Sequence, residues 1–154
     1  MTTFVLVHGS GDSGWSWHRV QRALRDRGHE SVAPDLPTDR HDVTWDDCGL
    51  TGNADPMIAF YHDVPSELAT EAISRERPTA ERLGDSPWPA AAVRSIPVRS
   101  IVTTRDRLIP PAVQRRVAAE RLAITEPNEL DAGHCANLAR PVELAGVLAS
   151  YVDA

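Results

Sequence analysis

The strongest constraint on the fold is a change of period within the first thirty or so residues. Met1–Val7 is expected to be a short buried strand, apolar and β-branched from Phe4 to Val7, and it stops at His8-Gly9. Gly9, Gly11 and Gly14 follow in quick succession, the makings of a tight turn. From Trp15 to Arg27 the spacing is helical, with Trp17, Val20 and Leu24 on one face and Gly28 where a C-terminal cap belongs. Glu30–Ala33 is a second short strand, ended by Pro34-Asp35-Leu36-Pro37. Strand, loop, helix, strand is the unit that builds parallel sheets with right-handed crossovers.

Farther along, Thr38–Asp55 is polar and without a period, whereas Pro65–Glu76 sets Leu68, Ala72 and Ile73 on one helix face. Pro78–Leu83 adds a further turn, and Gly84–Pro97 is proline-rich loop with a short helix around Pro89–Val93. Val98–Thr104 is the clearest later strand, followed by a helix with a Val113, Val117 and Leu122 stripe. Ile124–Leu130 is a weaker strand because Pro127 lacks an N–H for the ladder. A last helix, Pro141–Val152, turns Val142, Leu144, Ala145, Leu148 and Ala149 inward. At 154 residues this is one domain, 1–154, mostly parallel α/β with four main strands, flanking helices and a cap-like helical insertion at about 45–88.

Composition excludes several functions. The formal charge of −6 leaves no broad basic field, so nucleic acid is not expected as a partner. All 16 basic residues are arginine, which removes Schiff-base chemistry, since that needs a lysine amine. Cys48 and Cys135 are too few for a disulfide framework. No apolar run is long enough for a signal peptide or a membrane span, so the expectation is a cytoplasmic protein without a membrane partner. The pairs His41-Asp42 and His62-Asp63 lack metal-ligand spacing; neither a metal nor another cofactor is expected.

Ligands of open parallel sheets collect beyond the C-terminal strand ends. Three such loops matter: His8–Gly14, Thr104–Pro110 with Asp106, and Asp131–Asn137 with His134. A carboxylate beside an imidazole orients the ring and stabilises its protonated form, as a general base requires. The loop Gly9–Ser13, with Gly9, Ser10 and Gly11 foremost, puts backbone N–H groups ahead of a helix, where an oxyanion could be held, with Trp15 as a wall of the substrate site. Ser10 and Ser13 are the candidate hydroxyl nucleophiles; Cys135, adjacent to His134, reads as buried and inert.

The same residues carry a family resemblance. FVLVHGSGDSGWSW at Phe4–Trp17 resembles the opening of the α/β-hydrolases, especially the small plant-type esterase and hydroxynitrile lyase branch. RDRLIP at Arg105–Pro110 resembles the family's acid loop, and AGHCANLARPVEL at Ala132–Leu144 its histidine loop and closing helix. DPMIAFYHDVPSELA at Asp55–Ala69 resembles the cap helices of bacterial members. The family's G-x-S-x-G nucleophile turn is missing: none of the ten serines satisfies it. Only Thr38–Thr44 stands between the Pro34–Pro37 turn and the cap-like Trp45, where a member would place its nucleophile strand and flanking elements.

Two expectations follow. If the remaining strands close into one sheet, Phe4–Val7 pairs directly with Val98–Thr104, because an open gap leaves unpaired edges inside the fold. The functional expectation is ester or thioester hydrolysis of a small molecule, or base-catalysed lyase or cyclase chemistry, by a His134–Asp106 dyad. The alternative is a catalytically silent remnant that binds a small ligand or forms a homodimer by edge pairing.

Overall fold

Very short parallel strands and longer helices make up the computed structural model, which describes residues 1–36, 55–77 and 96–152. β1 (Thr3–Val5) pairs in parallel with β2 (Glu30–Val32), and β3 (Ile101–Thr103) pairs in parallel with β4 (Asn128–Leu130). Between the first pair lies α1 (His18–Arg25), entered through a 3-10 turn, Gly14–Trp17. Val20 and Leu24 are wholly buried on the predicted face, each worth about 1.5–3 kcal/mol. The helix ends as expected at Gly28, whose φ of 80° lets its own N–H reach the Arg25 carbonyl and the His29 N–H reach that of Leu24.

The segment 55–77 holds α2 (Pro56–Ala59) and α3 (Ser66–Ser74). Asp55 caps α2 by accepting the Met57 N–H at 2.9 Å, and Pro56 occupies the first turn, where a missing N–H costs nothing. α4 (Pro111–Leu122) follows β3, and α5 (Ala136–Ala139) and α6 (Pro141–Ser150) follow β4. One core cluster joins Leu6, Val20 and Leu24 to Leu130, Ala132, Leu144 and Ala145. A second joins Tyr61, Val64, Ala69 and Ala72 to Leu138.

Four expectations need correction. The described strands form two separate two-stranded sheets, so Phe4–Val7 pairs with β2 and not with the strand at 98–104. The physical reason is that α1 and α6 pack on each other and share the first core cluster, which fixes the spacing of the strand pairs beneath them. Closing the sheet would require sliding that packed contact. Val142 faces outward at 54% exposure while Leu144, Ala145 and Ala149 are buried. Likewise Val117 and Leu122 are exposed, and α4 buries the smaller Ala118 instead. The strand expected to be buried at Met1–Val7 buries only Leu6, because one of its faces is left uncovered: Val5, Val7 and Val32, more than half exposed, form an apolar surface on the first strand pair.

Several expectations concern residues outside those described: the insertion bounds near 45 and 88, the pair His41-Asp42, Cys48, Pro78–Leu83 and the short helix at Pro89–Val93. Among the described residues no helix is long and apolar enough to cross a membrane.

Candidate active site

Asp106 sits in the turn that leaves β3 and is buried. Its Oδ1 accepts the N–H groups of Leu108 and Ile109, both at 2.9 Å, a local turn that the sequence Asp-Arg-Leu-Ile closes on itself. Its Oδ2 accepts from Thr103 Oγ1 at 3.2 Å, from Gln114 Nε2 at 3.1 Å and from His134 Nδ1 at 3.0 Å. Gln114 is itself fixed, donating to the Ile109 carbonyl at 2.7 Å and accepting the Thr103 N–H at 3.0 Å. A carboxylate held from both oxygens cannot swing, so it dictates where the imidazole points.

His134 follows β4 across the buried Ala132-Gly133 pair, and Phe60 meets its ring edge-to-face at 5.1 Å. Asp106 has only acceptors toward it, so Nδ1 carries the proton and Nε2 is left with the lone pair. The side chain is 28% exposed, against 4% for Asp106: a buried carboxylate bonded to a more accessible imidazole.

The imidazole borders a cavity of about 270 Å³ walled also by Gly9, Ser10, Gly11, Trp17, Phe60 and Tyr61. The histidine loop and the glycine loop therefore share one cavity, as do Asp12, Glu76 and Cys135. Burial and the Asp12 carboxylate both push the Glu76 carboxyl upward, while the Tyr61 hydroxyl, donating to Glu76 Oε1 at 3.3 Å, works against them. Burial, reinforced by the carboxylates of Asp12, Asp63, Asp106 and Glu76, pushes the Cys135 thiol up to about 12, so the thiolate is scarce at neutral pH.

His8 braces the glycine loop rather than facing a proton-transfer partner. Its Nε2 accepts the Leu36 N–H at 2.9 Å, so Nδ1 carries the proton and donates to the Gly9 carbonyl at 2.8 Å. The Asp12 N–H donates to the Gly9 carbonyl, and the Arg77 N–H to that of Gly11 at 2.8 Å.

Not every expected site residue arrives at the cavity. Ser13 is buried, its N–H donates to Asp12 Oδ1, and its carbonyl accepts from Ser16; it does not line the cavity. Trp15 also stands outside, in contact with the Arg75 guanidinium at 4.7 Å and the His18 ring at 4.8 Å, and Trp17 takes the wall position. Sequence reasoning missed Thr103 and Gln114, whose one signal is a glutamine beside Val113 in the first turn of α4. It also missed the Tyr61–Glu76 pair, which no motif marks. Among the described residues no three metal-binding side chains gather.

The model of the alpha/beta hydrolase family matches residues 39–147. Methylesterase 18 of Arabidopsis thaliana is 36% identical over 77 residues, which is 46% of this chain and 28% of that protein. The chain thus matches little more than a quarter of that relative's length. Polyneuridine aldehyde esterase superposes with a TM-score of 0.79 at 15% identity, and the methylesterase protein MES16 from Arabidopsis with 0.75 at 15%; each alignment covers 99% of both chains. At that identity the two structures speak for the fold alone. The family model spans well over half of the chain, from the polar stretch after the first strand pair to the closing helix, and the chain belongs to the alpha/beta hydrolase family.

Proposed function

We propose that this chain is a small-ester hydrolase in which His134 is a general base oriented by Asp106. One observation carries the reading: the 3.0 Å His134–Asp106 hydrogen bond lies at a cavity that the Gly9–Gly11 backbone also borders. His134 Nε2 takes a proton from water as its oxygen attacks the ester carbonyl carbon. The carbonyl oxygen becomes an oxyanion facing the N–H groups of the Gly9–Gly11 loop. The tetrahedral intermediate then expels the alkoxide, the imidazolium returns the proton to it, and an acid and an alcohol leave. Asp106 stabilises the imidazolium throughout. The cavity, just under the usual ~300–1,000 Å³ of small-molecule sites, suits a short acyl group. The name methylesterase on a relative supports an ester of a small alcohol. The same base would serve a thioester or a proton-transfer lyase step, neither of which needs an elbow serine.

Hydrolysis of short-chain p-nitrophenyl esters by the wild type, His134→Ala and Ser10→Ala tests this. Turnover that vanishes in His134→Ala and survives in Ser10→Ala is expected. Loss in both would make Ser10 Oγ the nucleophile that His134 deprotonates. Equal background rates in all three would end the hydrolase reading.

A second reading has its own observation. The exposed Val5, Val7 and Val32 surface favours a silent remnant that dimerises through the first strand pair. Sedimentation velocity across a concentration series, with no dimer appearing, would remove it.

A further inference from the structure

Asp63 lies in the turn between α2 and α3, where the Val64 N–H donates to the Tyr61 carbonyl at 2.9 Å. Its Oδ2 accepts the N–H of Gly133 at 2.7 Å, across seventy residues of chain. Gly133 is the residue immediately before His134. The approach is so close that any side chain at residue 133 would force Asp63 or His62 to shift. A Cβ on residue 133 would stand 2.5 Å from Asp63 Oδ1 and 2.6 Å from His62 Cε1.

The other carboxylate oxygen of Asp63 is buried and has no hydrogen-bond partner among the described residues. A buried, half-satisfied carboxylate costs free energy, and an apolar side chain of similar size would avoid that cost. What it supplies in return is a strong, short acceptor on the backbone that carries the imidazole. The surroundings reinforce the placement. Phe60 rests on the His134 ring, Tyr61 and Val64 share a core cluster with Leu138, and the Arg77 N–H grips Gly11. One segment, 55–77, therefore holds the histidine loop at Gly133 and the glycine loop at Gly11.

We propose that Asp63 is a positioning residue: through Gly133 it fixes the backbone of His134 so that Nδ1 stays on Asp106 and Nε2 faces the cavity. The inference rests on reading His134 as the base. It assigns to the His62-Asp63 pair a mechanical role in place of metal binding.

The test compares the wild type with Asp63→Ala and Asp63→Asn by two readouts. The first is the NMR signal of the His134 Nδ1 proton, assigned by its loss in His134→Ala. The second is the split between kcat and KM for a short-chain p-nitrophenyl ester. In Asp63→Ala the proton signal should broaden or move upfield, and kcat should fall about 10- to 100-fold with KM within about twofold. Asp63→Asn, whose side-chain carbonyl still accepts from Gly133, should restore both. If Asp63→Ala does not fold, Asp63→Ser, too short to reach Gly133, carries the same expectation. An unchanged proton signal and kcat in Asp63→Ala, or in Asp63→Ser in its stead, would overturn the proposal, and so would failure of Asp63→Asn to rescue. If the wild type turns over no ester, the hydrolase reading falls while the proton signal still decides the role of Asp63.

Discussion

Two loops line one cavity and are built by opposite means. On the side of residues 96–152, side chains hold side chains: Asp106 receives Thr103, Gln114 and His134, and Gln114 is locked in turn by Thr103 and Ile109. On the side of residues 1–36, the backbone is what matters, and one imidazole, His8, ties Gly9 to Leu36. The first arrangement fixes one imidazole in one orientation, and the second fixes a stretch of backbone. The contrast teaches that the two halves have different vulnerabilities: the acid–histidine side to any change of hydrogen-bonding chemistry, the glycine side to loss of its brace.

The largest effect expected from breaking this contrast is on the acid side. Asp106→Asn should still accept from Leu108 and Ile109 but presents an amide to His134, so the ring takes the wrong tautomer. Ester turnover should fall about 10³- to 10⁴-fold with little change in the urea midpoint, measured by initial rates and by equilibrium unfolding. On the glycine side, His8→Ala should do the reverse. It orphans the Leu36 N–H and should cost about 1–3 kcal/mol in urea unfolding, with a smaller loss of turnover than Asp106→Asn. The smallest effect belongs to Glu76, whose carboxyl is raised in the folded protein mainly by burial. A raised carboxyl makes the folded state bind its proton more tightly, so that contribution is present at low pH and is lost as pH rises through the folded pKa. Glu76→Gln keeps an acceptor for Tyr61, so thermal unfolding should show equal stability at pH 4 and a gain of no more than about 1 kcal/mol at pH 7. The gain is small because the side chain is only partly buried and solvent screens it.

What the sequence disclosed was what neighbouring residues decide. The Val20 and Leu24 stripe, the cap at Gly28 and the acid turn at Asp106 depend on spacings of a few residues, and each is found where the pattern puts it. The pairing of Asp106 with His134 was also legible, because each occupies the exit of a strand in the parallel pair β3–β4. The pairing of β1 was misjudged because sheet closure depends on how α1 meets α6, a contact with no local signature. Val142 and Val117 were assigned inward on apolarity alone, whereas smaller alanines take the close helix contacts. Asp63 was seen as half of a His-Asp pair, and its actual partner is a backbone N–H seventy positions away.

That distance is part of a wider pattern. Arg19 donates to the Leu138 carbonyl at 2.7 Å and Asn137 to the Ser16 carbonyl at 3.1 Å, spans of 119 and 121 residues. The short α5 turn that follows His134 is thus anchored by the beginning of the chain, and the loop before it by the middle. No single stretch of polypeptide contains the imidazole's support. Divide the molecule between Leu36 and Asp55 into fragments that do not reassociate, and the imidazole would lose the Arg19 and Ser16 anchors although its own loop, Asp106 and both their strands were left untouched.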